Sequence, residues 1–437
     1  MIGLKSLGGT VSAFLILASV SWGGLQPAQL ECEYQQNPIG IDASKPRLSW
    51  LLQSDGKSHR GQEQTAYHIL AASSEALLKP GEADLWDSSK VSSAQSVLVE
   101  YAGQPLASRQ RCYWKVKVWD EQGMESGWSK PATWTMGLLQ VQDWQPARWI
   151  GAGRANTSSP PVFRHEFDIS KPIRRATVFV CGLGHYELWL NGRRVGDQVI
   201  DPGWTDYRDT CLYSSFDVTK QLARGRNAVG VMVGNGMYNV VGGRYVKFKG
   251  SFGPPKLILQ LAIEYTDGSF SILGTDEQWR TAAGPITFSC TYGGEDYDAR
   301  LEMPGWDCPR FDDRAWHRAQ LCEGPGGTLR SQSAPPIKIA QEFKTVKITE
   351  PKPGVFVYDL GQNFSGWPKL SVRGRAGSTM KMIPGELLST NGLVSQRSSG
   401  GPVSFSYTLR GGGVESWLPR FSYYGFRYEY PARRVHP

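Results

Sequence analysis

Short segments with the periodicity of β-strands recur along the whole chain of 437 residues, and no amphipathic stretch of convincing helical length interrupts them. The segment CYWKVKVWD (Cys112 to Asp120) shows the pattern, because successive side chains of a strand point to opposite faces. One face carries Tyr113, Lys115, Lys117 and Trp119, and the other carries Trp114, Val116 and Val118. The 16 tryptophans and 50 glycines also favour strands joined by tight turns. The sequence therefore predicts an all-β protein.

The spacing of these segments predicts three tandem β-sandwich domains. Residues 25–139 contain several short apolar-aromatic runs separated by turn-rich pieces, which is typical of an immunoglobulin or fibronectin sandwich. Residues 140–333 have the length and strand content of a jelly roll. Within them, Asn191 and Gly192 separate YELWL from RRVG, and such an Asn-Gly pair predicts a hairpin because both positions tolerate positive φ. Residues 334–437 repeat the sandwich pattern.

The N-terminus has the features of an export signal. Lys5 precedes the apolar run Val11 to Trp22, and small and turn-forming residues follow. This pattern predicts a signal peptide at residues 1–24 and a secreted or periplasmic protein with no membrane span after signal removal. The run is short for a membrane span, and Glu31 stands where a lipoprotein signal needs a small residue before Cys32. The alternative is a buried N-terminal strand or helix.

Charge and cysteine usage exclude several functional classes. The formal net charge is +8, but lysines and arginines are scattered, so we predict no nucleic-acid partner. An anionic polysaccharide fits this charge somewhat better. Seven widely spaced cysteines include no pair with the spacing of a zinc or redox motif. The sequence also lacks a phosphate-binding glycine loop and a paired-histidine zinc motif.

Three carboxylates crowd the stretch YGGEDYDAR, and they raise the question of glycosidase chemistry. A glycosidase needs two carboxyl groups about 5 to 10 Å apart, one of them with a raised pKa. Asp296 and Asp298 would lie about 7 Å apart on one face of a strand, beside Glu295. That spacing is common by chance. We therefore predict that these carboxylates pair with Arg300 or accept hydrogen bonds from backbone donors, and we assign no catalytic residue.

A second set of residues has the chemistry of a sugar-binding site. The loop-like segments DPGWTDY and GNGMYNVVGG combine aromatic rings with amide and carboxylate groups. The predicted substrate-binding residues are Asp201, Trp204, Asp206, Asn235, Tyr238 and Asn239. Oxygen ligands of this kind also suit Ca²⁺, although no cofactor is certain from the sequence. The alternative is that these loops brace the packing of domains.

Four stretches resemble one family, the bacterial α-L-rhamnosidases. Residues 30–50 (LECEYQQNPIGIDASKPRLSW) resemble the opening of the mature enzymes, and residues 186–239 resemble their N-terminal jelly-roll domain. Residues 356–393 resemble the concanavalin-like domain that follows, and PRFSYYGFRY (Pro419 to Tyr428) is similar to its closing strand. The resemblance implies that residues 334–437 form the concanavalin-like sandwich.

The resemblance also implies a function. In this family the concanavalin-like domain leads into an (α/α)₆ barrel that carries the catalytic carboxylates, and this sequence has no positions onto which those carboxylates can be carried. We therefore expect the accessory, carbohydrate-recognising portion of an exported α-L-rhamnosidase, inactive alone, whose partners are a rhamnose-containing glycan or glycoside and a separate catalytic barrel. Some family members bind rhamnose through calcium in the jelly roll. The alternatives are a structural bracing module and a complete glycosidase with an unrecognised β-sandwich site.

Overall fold

The computed structural model describes residues 24–54, 61–153, 159–240, 244, 250–398 and 400–434. The predicted signal peptide lies outside the described residues apart from its last residue. Within these ranges the regular structure is β-strand with single 3₁₀ turns and contains no α-helix, so the predicted all-β class is confirmed. No helix within the same ranges is long and apolar enough to cross a membrane. The chain divides into two units. One holds the residues up to Asn37, Lys45–Gln104 and Arg111–Thr133, and the other holds Pro38–Ser44, Pro105–Gln110 and the residues from Trp134 onward.

The first unit contains the sandwich strands predicted near the N-terminus. The strands up to residue 136 are β1 (Leu25–Cys32), β2 (Ile39–Ile41), β3 (Arg47–Ser54), β4 (Ala66–Ala72), β5 (Trp86–Asp87), β6 (Val91–Ser92), β7 (Val99–Glu100), β8 (Arg111–Trp119) and β9 (Ala132–Met136). In the first unit, β1, β3 and β7 form one sheet, and β4 pairs with β5, β6 and β8. Along β8, Trp114, Val116 and Val118 are fully buried, while the alternate residues are partly exposed. The predicted alternation is confirmed.

Two sheets of the second unit pack around a large aliphatic core. The strands between residues 150 and 331 are β10 (Ile150–Gly151), β11 (Pro161–Ile169), β12 (Ile173–Leu183), β13 (Tyr186–Leu190), β14 (Arg193–Arg194), β15 (Thr210–Asp217), β16 (Gly225–Val233), β17 (Asn239–Val240), β18 (Gly250–Ser251), β19 (Lys256–Tyr265), β20 (Phe270–Gly274), β21 (Arg280–Ala283), β22 (Ile286–Cys290), β23 (Gly294–Asp298), β24 (His317–Arg318), β25 (Gln320–Leu321) and β26 (Thr328–Ser331). Of these, β17 and β18 pair only with each other, and β22 and β23 belong to the C-terminal sheet described below. One sheet has the order β25-β10-β19-β12-β15-β26, with β20 on β19, and the other has the order β14-β13-β16-β11-β21-β24. Val178, Val231 and Leu259 lie in the core between them.

The predicted Asn-Gly hairpin joins β13 to β14. Leu190 pairs with Arg193, and the two turn residues Asn191 and Gly192 have φ values of 52° and 77°. Both values lie in the left-handed region that Asn and Gly tolerate best, so the turn chemistry and the strand pairing agree.

A seven-stranded sheet organises the C-terminal part of the second unit. The remaining strands are β27 (Lys347–Lys352), β28 (Val355–Gly366), β29 (Leu370–Arg373), β30 (Thr379–Gly385), β31 (Leu387–Leu388), β32 (Val394–Ser395), β33 (Ser404–Thr408), β34 (Val414–Trp417) and β35 (Tyr424–Arg434). The sheet has the order β22-β23-β33-β30-β35-β28-β27. Strand β23 pairs in parallel with β33, from Gly294 opposite Ser404 to Asp298 opposite Thr408. The carboxylate-rich stretch is therefore an inner strand of this sheet.

Candidate functional site

Asp201, the first predicted sugar ligand, is buried and its carboxylate is engaged inside the jelly roll. Its Oδ2 accepts hydrogen bonds from Tyr186 Oη at 2.8 Å and Ser214 Oγ at 2.5 Å. Its Oδ1 accepts one from Gln332 Nε2 at 3.0 Å. Burial raises the pKa of Asp201, and the three donors oppose part of that rise. This arrangement satisfies a buried carboxylate and braces the loop that follows it.

Asn235 and Asn239 bond to each other and to neighbouring strands. Asn235 Nδ2 donates to the carbonyl oxygen of Ser289 at 2.7 Å, and its Oδ1 accepts from Asn239 Nδ2 at 2.9 Å. Asn239 Oδ1 in turn accepts from Ser251 Oγ at 2.7 Å. Asn235 is buried, so its side chain holds the loop in place.

Tyr238 is the buried member of an aromatic cluster with Tyr207 and Phe252. It is fully buried, and its hydroxyl donates to the carbonyl oxygen of Phe252 at 3.1 Å. Its ring stacks on Phe252, with centroids 5.8 Å apart, and Tyr207 meets both rings edge-on. Burial raises the pKa of Tyr238 to about 12. Tyr238 therefore fixes the ring of Phe252.

The other two predicted residues, Trp204 and Asp206, line an open cleft. This Trp204 cleft has a volume of about 410 Å³, and its lining residues are Trp204, Thr205, Asp206, Arg208, Met237, Gly250 and Phe252. Trp204 and Phe252 are 58% and 40% exposed, so the cleft presents two large aromatic side chains to solvent. Of the six predicted residues, the structure brings only these two together in the cleft.

An ion pair lies in the wall of the Trp204 cleft. Asp206 Oδ2 lies 2.8 Å from Arg208 Nη2, and its Oδ1 accepts hydrogen bonds from Arg208 Nε and from the backbone N–H of Arg208. Hydrogen bonds from Arg208 lower the pKa of Asp206 to about 2, which keeps the carboxylate ionised. The Arg208 guanidinium also lies 5.9 Å from the centroid of the Phe252 ring.

These features together match what a sugar ring requires. Aromatic faces stack on the C–H surface of a pyranose, while a carboxylate and a guanidinium fix the hydroxyl groups around it. The sequence did not indicate Arg208, Met237 or Phe252. Arg208 could have been found, because an acceptor carboxylate two residues before it favours a local turn and ion pair. Nothing in the sequence connects Phe252 to Trp204, since their place in one cleft depends on how the loops fold.

The predicted oxygen ligands do not form a calcium site. Asp201 accepts three hydrogen bonds, and Asp206 is paired with Arg208. Among the described residues, no group of three or more His, Cys, Asp and Glu side chains has the arrangement of a metal site. Calcium usually takes six to eight oxygen ligands, several of them carboxylates. The observed donor set does not fit that ion.

The Glu295 side chain is buried in the second unit and bonds to backbone donors there. Its carboxylate accepts hydrogen bonds from the backbone N–H groups of Arg420 at 3.1 Å and Phe421 at 3.0 Å. The side chain is fully buried, and burial raises its pKa to about 7. Arg420 itself is paired with Glu187, which raises the pKa of the guanidinium. The predicted use of backbone donors is confirmed for Glu295.

The two neighbouring aspartates are paired with arginines. Asp296 forms an ion pair with Arg244, whose guanidinium also donates to the carbonyl oxygen of Ser404 at 2.9 Å. Asp298 pairs with Arg300 at 2.7 Å and accepts a hydrogen bond from its backbone N–H, which caps the 3₁₀ turn Ala299–Leu301. The predicted pairing with Arg300 is confirmed. Each of the three carboxylates in this stretch therefore has a structural partner.

Comparison with known protein families gives three consecutive matches. The family described as the Rha78A-like N-terminal immunoglobulin domain matches residues 27–140. The family described as the α-L-rhamnosidase N-terminal domain matches residues 171–341, and the bacterial α-L-rhamnosidase concanavalin-like domain matches residues 349–429. The three domains and their order show that the chain belongs to the bacterial α-L-rhamnosidase family. The resemblance inferred from the four sequence stretches is thereby confirmed.

Individual relatives show which part of the family the chain represents. An α-L-rhamnosidase of Formosa agariphila is 37% identical and matches 90% of this chain but 44% of its own length. The structure of an α-L-rhamnosidase from Dictyoglumus thermophilum superposes with a TM-score of 0.87 at 38% identity, covering 94% of this chain and 47% of that one. A Streptomyces avermitilis α-L-rhamnosidase complexed with L-rhamnose gives a TM-score of 0.86 at 29% identity, covering 94% and 56%. The chain spans about half the length of these relatives and corresponds to their N-terminal half.

Proposed function

We propose that the chain is the carbohydrate-recognising portion of an exported α-L-rhamnosidase, and that the Trp204 cleft holds a terminal α-L-rhamnosyl group of a glycan or glycoside. Cleavage of the rhamnosyl bond belongs, in this proposal, to the (α/α)₆ barrel of the family. The observation that carries the proposal is the exposed Trp204 ring beside the Asp206–Arg208 ion pair in one cleft.

The chemistry of the cleft suits a neutral 6-deoxy sugar. The methyl group and C–H face of rhamnose would lie against Trp204 and Phe252, which supply apolar surface. Its hydroxyl groups would donate to the Asp206 carboxylate and accept from the Arg208 guanidinium, since that carboxylate can only accept and that guanidinium can only donate. The relative from Streptomyces avermitilis has been solved with L-rhamnose, which supports this choice of sugar.

Titration calorimetry with L-rhamnose tests the sugar-binding part of the proposal. We expect a dissociation constant on the order of 0.1 to 1 mM, typical of a small ligand that makes few contacts. Trp204→Ala should reduce binding below detection. Phe270→Ala is the matched control, because Phe270 is also an exposed aromatic residue, at 68% against 58% for Trp204, and lies outside the cleft. Heat that Trp204→Ala leaves unchanged would refute this site.

Export is the second part of the proposal, and it is supported by Lys5 and the apolar run Val11 to Trp22. Expression in a secreting bacterial host should give a mature chain that begins between about residues 23 and 32. Secreted material whose N-terminal sequence still begins at Met1 would refute the signal peptide.

Structural bracing is the second candidate function, and a specific observation favours it. Asp201, Asn235 and Tyr238 all direct their polar atoms to internal partners. If bracing is the whole function, the chain should show no heat with millimolar L-rhamnose. The same calorimetric titration therefore separates the two candidates.

A further inference from the structure

A second and larger cavity lies against the seven-stranded sheet, remote in sequence from the Trp204 cleft. Its volume is about 800 Å³, and its lining comes from residues 338–345, from β28 to β30 and from β35. Four aromatic side chains contribute to the wall, namely Phe343, Tyr358, Phe364 and Trp367. Phe343 stacks on Phe364 with centroids 4.6 Å apart, and the Trp367 indole N–H donates to the carbonyl oxygen of Ser422. The wall is therefore a set of rings in fixed orientations.

The carboxyl group of Glu429 lines this cavity, here called the Glu429 cavity, from an inner strand of the sheet. Glu429 lies on β35, opposite Tyr358 of β28 on one side and Pro384 of β30 on the other. Its Oε1 is buried and has no hydrogen-bond partner among the described residues. The two lysines of the lining have other partners, because Lys369 pairs with Glu342 at 3.3 Å and Lys338 pairs with Asp197 at 2.8 Å.

A buried carboxyl oxygen without a hydrogen-bond partner at this position destabilises the fold. Burying a polar atom without a partner costs free energy, and proteins satisfy nearly all such atoms. A leucine would fill the same position on a central strand without that cost. Burial raises the pKa of Glu429 to about 8, so near neutral pH the group is a carboxylic acid with one O–H donor and acceptor oxygens.

We propose that the Glu429 cavity binds a neutral saccharide, whose hydroxyl groups bond to the Glu429 carboxyl and whose C–H face lies on the Phe343–Phe364–Trp367 wall. Two further observations favour a neutral ligand. Both lysines of the lining are paired with carboxylates, Lys338 with Asp197 and Lys369 with Glu342, so neither charge is free to bind an anion. Glu342, the other carboxylate of the lining, is paired with Lys369 and offers no free charge to a cation. Hydrolysis is not implied, since glycosidic cleavage needs two positioned carboxyl groups.

The Glu429 cavity shares no lining residue with the Trp204 cleft, so it can be tested in a variant that lacks the Trp204 side chain. The experiment uses the whole chain carrying Trp204→Ala, so that loss of the first site cannot be mistaken for loss of the second. Methyl α-L-rhamnopyranoside, D-galactose and cellobiose are the probes, and saturation-transfer NMR and calorimetry are the readouts. We expect binding of at least one of these sugars at millimolar concentration. Glu429→Leu should weaken that binding about tenfold or more, while Glu429→Gln, which keeps a donor and an acceptor, should stay within about threefold.

A second pair of variants keeps the test sharp if Glu429→Leu fails to fold. Phe343 is half-exposed and lies outside the strands, so Phe343→Ala should fold and should weaken sugar binding at least threefold. Phe356→Ala is its control, because Phe356 is also exposed but is not part of the cavity lining. The proposal is overturned if none of the three sugars binds, or if Glu429→Leu or Phe343→Ala leaves the affinity unchanged. It is also overturned if choline, used as a cationic probe, binds instead of the sugars and releases a proton.

Discussion

The Glu295 carboxylate accepts a hydrogen bond from the backbone N–H of Arg420 at 3.1 Å, although 125 residues separate the two positions. A second bond, from the backbone N–H of Phe421, completes the attachment of β23 to the segment before β35. Both donors would lose their partner without this carboxylate. Glu295 is thus a structural tie between distant parts of the second unit.

Removal of that tie should destabilise the protein strongly. Glu295→Ala leaves two backbone N–H groups without an acceptor and removes a carboxylate near the partly buried Arg420. We expect the free energy of unfolding to fall by roughly 2 to 5 kcal/mol, as measured by urea denaturation. Asp312→Ala is the control, because Asp312 pairs with Arg314 at an exposed site and its removal should change stability far less. Equal effects of the two substitutions would contradict a structural role for Glu295.

Asn235 and Trp204 should respond differently to the same truncation. Asn235→Ala removes the bonds to Ser289 and Asn239, so we expect it to lower the free energy of unfolding by roughly 1 to 3 kcal/mol. Trp204→Ala removes an exposed ring and should change stability little. Thermal unfolding of the two variants in parallel checks this. A Trp204→Ala protein that melts well below the Asn235→Ala protein would mean that Trp204 is a packing residue.

Glu429 should make stability depend on pH. Its folded pKa is about 8, whereas a glutamate in an unfolded chain titrates near pH 4.3. Between these values the folded state holds a proton that the unfolded state has lost, so the stabilising contribution is fully present below about pH 4 and is lost as pH rises through 8.

Glu429→Gln tests this linkage, because an amide cannot ionise. Between pH 5 and pH 9 the wild-type protein should lose roughly 2 to 4 kcal/mol more of its free energy of unfolding than the variant does. Urea denaturation at pH 5, 7 and 9 gives the comparison. Identical pH profiles would show that Glu429 is ionised, or solvated, in the folded protein.

Calcium should have no effect on this chain. A ligand that binds only the folded state raises the melting temperature. At a ligand concentration 100-fold above the dissociation constant, binding adds about 2.7 kcal/mol to the free energy of unfolding. Because Asp201 and Asp206 already have internal partners, we expect the Tm in about 1 mM CaCl₂ to equal the Tm with a chelator. That calcium concentration is far above the dissociation constant of a sensor-type site. A calcium-dependent rise of several degrees would contradict this assignment of the two carboxylates.

The features that could be predicted from the sequence depend on local physics. The alternation of Trp114, Val116 and Val118 follows from strand geometry, and the Asn191–Gly192 hairpin follows from the backbone freedom of its two residues. The pairing of Asp298 with Arg300 is also local, since Asp298 caps the 3₁₀ turn that contains Arg300.

The composition of the site could be predicted only in part. Asp201 and Asn235 have the residue types of sugar ligands, but their hydrogen bonds go to Ser214, Gln332 and Ser289, which come from other parts of the chain. Tertiary packing decides whether such a side chain faces inward or outward, and no local pattern encodes it. The Glu429 cavity shows the same limit, because alternation along β35 does not reveal that a carboxyl on a central strand meets open volume.

The most direct test of the account is to follow the Trp204 indole N–H in the ¹H–¹⁵N spectrum of the chain while L-rhamnose is added. Trp204→Phe assigns the signal by its disappearance. We predict that this signal shifts progressively and saturates with an apparent dissociation constant on the order of 0.1 to 1 mM. A Trp204 signal that does not move up to about 20 mM L-rhamnose, far above that range, would contradict the claim that the Trp204 cleft recognises the sugar.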